Sequence, residues 1–155
     1  DVVPHYLSTG DFKPRASVST ISNAMDVGNP SNFWRMTELY HDSLAEMAKD
    51  IEGCCITEDD TRAAMKECKS QYGYLIDPHG AVGFQAWQYM QNRHAGSNGI
   101  ILETAHPSKF SDVVKDTLGI EVEFPERLAA IISKEKRSVR IQPDFSALKG
   151  YLLTR

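Results

Sequence analysis

The sequence predicts an α/β fold in which a short parallel sheet of about three strands is flanked by helices. Short apolar runs alternate with helical patterns in the order strand, helix, strand, helix, strand, helix. This order is typical of right-handed βαβ crossovers. Only three such strands are evident, and three parallel strands leave two open edges. The pattern therefore favours one piece of a larger sheet over a complete one.

Composition narrows the class of protein. The chain has 155 residues, of which 41% are hydrophobic and 25% charged, as in soluble globular proteins. A net charge of −4 argues against a dedicated nucleic-acid binder, which usually has a basic excess. No apolar run approaches the ~18 residues of a membrane span. We therefore expect neither a nucleic-acid nor a membrane partner. The chain begins at Asp1 without a methionine, which favours a cut piece or a processed product.

The N-terminal part is predicted to hold two helices separated by a polar loop. The first helix covers residues 1–10, and Gly10 suits its end. Residues 16–32 are rich in hydroxyls, amides and free backbone N–H groups, which is anion-binding chemistry. A plain polar loop is the alternative interpretation. A single helix with an apolar stripe is predicted over residues 32–49.

The three strands and their helices follow. The strands are predicted at 51–56, 72–77 and 99–104, and the helices after them at 57–70, 81–94 and 107–118. Thr57 with an acidic residue three positions later is typical of a capping box. Two further helices are predicted at 125–134 and 145–153. The cysteines, at positions 54, 55 and 68, are odd in number and are interpreted as small buried hydrophobic residues.

The strand at 99–104 is predicted to be covered on both faces and to end in a polar corner. Thr104 and His106 lie at its carboxyl end, where open α/β sheets bind ligands. The alternative is that Thr104 only caps the next helix and that His106 is a surface residue. Two histidines with a nearby carboxylate would suit a metal, and a cysteine near His79 would suit a nucleophile. No motif spacing supports either site.

Three motifs resemble the threonine synthase family. They are NAMDVGNPSNF at 23–33, DPHGAVG at 77–83 and ETAHPSKF at 103–110. The opening DVVPHYLSTG and the closing QPDFSALKGYL resemble segments of the same family in the same order. Because the motifs are ordered and span essentially the whole chain, the sequence is identified as similar to the C-terminal portion of this family.

The resemblance implies a cytoplasmic pyridoxal-phosphate (PLP) enzyme of fold-type II. Such enzymes convert O-phospho-L-homoserine and water to L-threonine and phosphate. Residues 1–155 would then be a single C-terminal fragment of the PLP-binding large domain. In the family, the lysine that bonds to PLP and the phosphate-binding loop both lie upstream of this region. We therefore expect the isolated chain to be inactive, to require the missing N-terminal part as its partner, and to self-associate through exposed apolar surface.

The resemblance also implies roles for residues, none of them catalytic in this chain. Thr104 would face the pyridine nitrogen of PLP through its hydroxyl, with His106 as a cofactor-binding neighbour. The residues expected to bind substrate are Asn23, Asp26, Asn29, Ser31 and Asn32. A different hypothesis is a self-standing α/β ligand-binding or interaction module, which would be monomeric and would expose no apolar edge.

Overall fold

A computed structural model of the protein describes residues 1–23 and 26–154. The helices are α1 (Val2–Thr9), α2 (Trp34–Leu39), α3 (Leu44–Asp50), α4 (Glu58–Tyr72), α5 (Pro78–Met90), a 3₁₀ turn (Pro107–Phe110), α6 (Ser111–Leu118), α7 (Glu126–Ile132) and α8 (Phe145–Leu153). The chain forms two compact units, Asp1–Glu123 and Phe124–Arg155. Whether both belong to one large domain remains a prediction.

The predicted parallel sheet is absent from residues 1–23 and 26–154, which contain helices and irregular segments but no strand. The runs at 51–56, 73–77 and 99–104 have no regular secondary structure. A strand exists only through hydrogen bonds to a neighbouring strand, and these runs have no such neighbour within the described residues. The fold-class prediction is therefore wrong for this chain, because an apolar run indicates buried or extended backbone and not its partner.

Helices α4, α5 and α6 form the core of the first unit. The predicted capping box is confirmed, because Thr57 accepts from the backbone N–H of Asp60 while the Asp60 carboxylate accepts from that of Thr57. The buried core side chains come from all three helices, the 3₁₀ turn and the segment before α5: Ala64, Met65, Cys68, Ile76, Ala81, Phe110, Val113 and Val114. A hydrogen bond of 2.6 Å from Arg62 to Thr117 links α4 to α6.

The long helix predicted after the polar loop is instead two helices, α2 and α3. His41 and Asp42 adopt left-handed backbone conformations, with φ of 50° and 56°, and end the first. Ser43 then starts α3 by accepting from the backbone N–H of Glu46 at 3.3 Å. Serine side chains compete with helix continuation in this way. Met47 of the predicted apolar stripe is fully buried in α3.

The segment at 99–104 runs along α5 with alternate residues facing the helix. The close approaches pair Gly99 with Trp87, Ile101 with Gly83, and Glu103 with Gly80. Between them, Ile100 and Leu102 point away and are 88% and 78% exposed. Close contact with α5 and exposure to solvent thus alternate along this segment, so only one face is covered. The prediction of burial on both faces is wrong.

The second unit contains the two predicted C-terminal helices. Asp144 caps α8 by accepting from the backbone N–H of Ala147 at 2.8 Å. Several large apolar side chains of this unit are exposed: Ile131, Ile132, Phe145, Leu148, Leu152 and Leu153. No helix in the described part of the chain is long and apolar enough to cross a bilayer.

Candidate functional site

The predicted cofactor corner begins at Thr104 and turns at His106. Thr104 is exposed, and its hydroxyl makes no hydrogen bond to any residue that the structure describes. The cap of the 3₁₀ turn is His106, whose Nδ1 accepts from the backbone N–H of Ser108 at 3.2 Å. Pro107 has no N–H, so that of Ser108 is the first one available to a capping group. The hydroxyl of Thr104 is thus left free for a ligand.

The hydrogen bond to His106 also fixes its tautomer. Because Nδ1 accepts a backbone N–H, the neutral imidazole carries its proton on Nε2. The Ser108 hydroxyl lies 2.8 Å from the same Nδ1 and strengthens the turn. His106 therefore shapes the corner through one ring nitrogen and offers a donor through the other.

A second polar corner lies at the start of α5. Asp77 is completely buried, and its Oδ1 accepts from the backbone N–H of His79 at 2.9 Å. The same oxygen lies 3.1 Å from His79 Nδ1. Asp77 Oδ2 and His79 Nε2 are both buried without a hydrogen-bond partner within the described residues. The ring of His79 packs 5.0 Å from that of Phe110. Asp77 thus holds the helix start and orients the imidazole.

Glu103 connects the two corners. Its side chain lies on the first turn of α5, against Gly80 and near Asp77. Burial of the carboxyl raises the pKa of Glu103 to about 7, with further contributions from a hydrogen bond to Asp77 and from repulsion by its charge. No hydrogen bond of ordinary geometry joins the two carboxyl groups, and Asp77 Oδ2 has no partner among the described residues. The motif that contains Glu103 did not predict this contact. The small residue at position 80 was the signal for a close approach.

The polar loop encloses a cavity of about 320 Å³ in the first unit. Asp26 lines it and accepts hydrogen bonds from the hydroxyl of Thr20 at 2.6 Å and from its backbone N–H at 3.3 Å. Arg15 also lines the cavity and pairs with the Asp1 carboxylate at 2.9 Å. His79 forms part of the same wall. The start of α5 therefore borders both predicted site regions.

Only one of the predicted substrate residues lines this cavity. Asp26 does so, and its carboxylate is engaged in holding the loop closed. The other four are exposed and lie outside the lining: Asn23, Asn29, Ser31 and Asn32. Their side chains make no hydrogen bond to the described residues. Ala24 and Met25 of the same motif lie outside the described residues.

The cysteines occupy three different environments. Cys68 is buried, as predicted, whereas Cys54 is half-buried and Cys55 is exposed, so the prediction is wrong for Cys55. Burial raises the pKa of the Cys54 and Cys68 thiols, which keeps both protonated and weakly nucleophilic at neutral pH. Within residues 1–23 and 26–154, no group of three or more His, Cys, Asp or Glu is arranged to hold a metal ion.

Comparison with known proteins shows which proteins this chain resembles. A family model for the C-terminal part of threonine synthase matches residues 80–152. The threonine synthase of Haemophilus influenzae is 37% identical over 153 residues, and that of Escherichia coli is 34% identical over the same length. The chain is therefore similar to the C-terminal part of threonine synthases. Each alignment covers 99% of this chain but 35% of the relative, so the chain spans about a third of the length of these threonine synthases.

Solved threonine synthases share the backbone arrangement. The crystal structure of threonine synthase from Escherichia coli superposes with a TM-score of 0.85 at 33% identity, over 99% of this chain and 35% of that one. The structure of PLP-bound threonine synthase from Brucella melitensis gives a TM-score of 0.68 at 26% identity, over 98% of this chain and 38% of that one. The backbone described above thus resembles the matched part of these two threonine synthases.

Proposed function

We propose that this chain is the C-terminal part of a PLP-dependent threonine synthase, a lyase that converts O-phospho-L-homoserine and water to L-threonine and phosphate in the cytoplasm. The observation that carries the proposal is the 37% identity to a threonine synthase across 99% of the chain. Similarity over the whole chain, rather than over one motif, favours the same chemistry in the whole protein.

The corner at Thr104 fits the cofactor. PLP, when bound, draws electrons from the carbon atoms of an amino-acid substrate. The free hydroxyl of Thr104 suits a neutral donor to the pyridine nitrogen, and it leaves that nitrogen uncharged. His106, with its proton on Nε2, can donate a second hydrogen bond at the edge of the same corner. Thr104 and His106 are therefore the residues of this chain that we assign to PLP.

The polar loop suits an anionic substrate. The free amides and hydroxyl at four of its positions can donate to the phosphate and carboxylate oxygens of O-phospho-L-homoserine: Asn23, Asn29, Ser31 and Asn32. Asp26 has a different part, since its carboxylate holds Thr20 and thereby the shape of the loop. We assign Asp26 to positioning within the substrate region and the other four to contact.

The chain requires the rest of the enzyme. In our proposal the N-terminal part of the same protein supplies the lysine that bonds to PLP and the loop that binds its phosphate. The outward side chains of Ile100 and Leu102 support a partner that covers this face. Without that partner, the exposed apolar side chains favour self-association of residues 1–155.

The test compares the full-length protein with residues 1–155. With PLP and O-phospho-L-homoserine, we expect the full-length protein to release phosphate and form threonine, and the isolated chain to do neither. Absence of turnover by the folded, PLP-loaded full-length protein would contradict the activity. Covalent capture of PLP by the isolated chain after borohydride reduction would contradict our assignment of the lysine to the N-terminal part.

Substitutions at Thr104 test the cofactor contact in the full-length enzyme. Thr104→Val removes the donor at nearly constant volume, and we expect kcat to fall about 100-fold, as when a positioned donor is removed from an active site. Thr104→Ser keeps the hydroxyl and should retain most of the activity. Thr37→Val, on α2, is the matched control and should leave kcat unchanged. Equal activity of the valine and serine variants would contradict the proposed contact between the Thr104 hydroxyl and PLP.

A further inference from the structure

The carboxyl of Glu103 occupies the space that a side chain at position 80 would fill, and the glycine at that position leaves this space open. A Cβ at Gly80 would overlap Glu103 Oε1 and lie 2.6 Å from Glu103 Cδ. The same Cβ would lie 2.8 Å from Ile76 Cγ1, so the carboxyl lies against the first turn of α5 near a core residue, although Glu103 as a whole is exposed. Glu103 directly precedes Thr104 in the chain. Its side chain therefore ties the main chain of the corner to α5.

The groups that face Glu103 are weak acids and apolar side chains. A cavity of about 360 Å³ beside it is lined by residues of α4, α5 and the connecting segments: Cys68, Tyr72, Tyr74, Ile76, Phe84, Ile101 and Glu103 itself. Asp77 faces it from the start of α5. The lining contains no lysine or arginine, and Glu103 makes no ion pair with the described residues. The neighbouring His79 is engaged with Asp77 through Nδ1.

This environment favours the protonated carboxyl over the carboxylate. Burial and the charge of Asp77 hold the pKa of Glu103 at about 7, against an ordinary value near 4.5. When protonated, Glu103 can donate to the neighbouring Asp77, whose Oδ2 is buried without a partner among the described residues. When ionised, it places a second negative charge beside a buried carboxylate. The interaction between Glu103 and Asp77 is therefore attractive when Glu103 is protonated and repulsive when Glu103 is ionised.

We propose that Glu103 is a positioning residue, whose carboxyl clamps the Thr104 corner onto Gly80 and Asp77 at the start of α5. The part played by Thr104 toward PLP rests on the proposed function, whereas the clamp rests on the contacts of this chain alone. The clamp acts through the main chain and touches neither cofactor nor substrate.

The clamp gives the corner a dependence on pH. The folded state raises the pKa of Glu103 above its unfolded value, so the folded state binds more protons between the two values. The stabilisation is therefore fully present below the ordinary pKa of a glutamate and is lost as pH rises through about 7. The corner is expected to loosen as the solution becomes alkaline.

Amide hydrogen exchange at residues 103–106 of the full-length protein, without PLP, tests the clamp separately from catalysis. After correction for intrinsic exchange, we expect protection at these amides to fall about threefold or more between pH 5.5 and 8.5, a modest value because Glu103 is partly exposed. Glu103→Gln keeps a neutral side chain and should abolish this fall. Gly80→Ala, which displaces the carboxyl, should lower protection already at pH 5.5.

Two controls and two outcomes complete the test. Glu135→Gln, at an exposed position, and Gly150→Ala, with no atom within 4 Å of the added methyl group, should behave as wild type at the corner. An unchanged pH dependence in Glu103→Gln would overturn the proposal, and so would normal protection in Gly80→Ala at pH 5.5. Failure of the full-length protein to make threonine would overturn the proposed function and leave the clamp intact.

Discussion

The two polar corners of the first unit have the same local design. Asp77, Pro78 and His79 begin α5, and His106, Pro107 and Ser108 begin the 3₁₀ turn. In both, an acceptor side chain precedes proline and binds the backbone N–H of the residue after it, at 2.9 Å and 3.2 Å. In both, the same acceptor atom also contacts the side chain of that residue.

Their surroundings differ. Asp77 is completely buried beside the core, whereas His106 is exposed and follows a threonine with a free hydroxyl. When a buried capping group is removed, the backbone N–H that it bound is left without a partner. At the surface, a water molecule can take the place of the capping group. The buried corner therefore contributes to stability, whereas the exposed corner leaves the Thr104 hydroxyl without a partner among the described residues.

Removal of the buried cap should have the largest effect on stability. Asp77→Ala leaves the backbone N–H of His79 without its acceptor and should lower the free energy of unfolding by about 2 kcal/mol. Asp77→Asn keeps an acceptor and should restore most of it. Urea unfolding measures both.

The matched control is the exposed cap of α8. Asp144→Ala removes a hydrogen bond of 2.8 Å to Ala147 and should cost about 1 kcal/mol or less. If Asp77→Ala lowers the free energy of unfolding no more than Asp144→Ala does, burial of the Asp77 corner does not add to its contribution to stability.

The exposed cap should have a smaller effect. His106→Ala frees the backbone N–H of Ser108 to bond with water, and we expect a loss of about 0.5–1 kcal/mol in the same unfolding experiment. His106→Asn, which offers another capping acceptor, should regain it. A loss as large as that of Asp77→Ala would mean that the two corners are energetically alike.

The smallest effect is expected at Thr104. Because its hydroxyl makes no hydrogen bond to the described residues, Thr104→Val should change the free energy of unfolding by less than about 0.5 kcal/mol. Together with a large loss of kcat in the full-length enzyme, this would separate the ligand corner from the structural one. Destabilisation beyond about 1 kcal/mol would show that the fold uses the hydroxyl.

Local signals in the sequence predicted several helices and caps well, although α5 was expected to begin at residue 81 and begins at Pro78, after the Asp77 cap. Gly10 ends α1, Thr57 starts α4 with its capping box, and the helices after Pro125 and Asp144 lie close to where they were predicted. These features depend on residues a few positions apart, so a single sequence is sufficient to predict them.

The failures depend on contacts between distant parts of the chain. The apolar run at 99–104 predicted a strand covered on both faces, but such a run carries no information on whether a neighbouring strand is present. The break at His41 requires two left-handed residues, which an apolar stripe conceals. The contact of Glu103 with Gly80 joins positions that no local rule connects. The roles of Thr104, His106 and the loop residues remain predictions.

The contact between Gly80 and Glu103 also constrains how the sequence can change during evolution. A methyl group at position 80 would overlap the carboxyl at position 103, so a glutamate there would have to turn outward. A relative with alanine at the first position has no room for an inward-pointing glutamate at the second. We expect the pair to covary among threonine synthases, with a shorter residue at position 103 wherever position 80 carries a side chain.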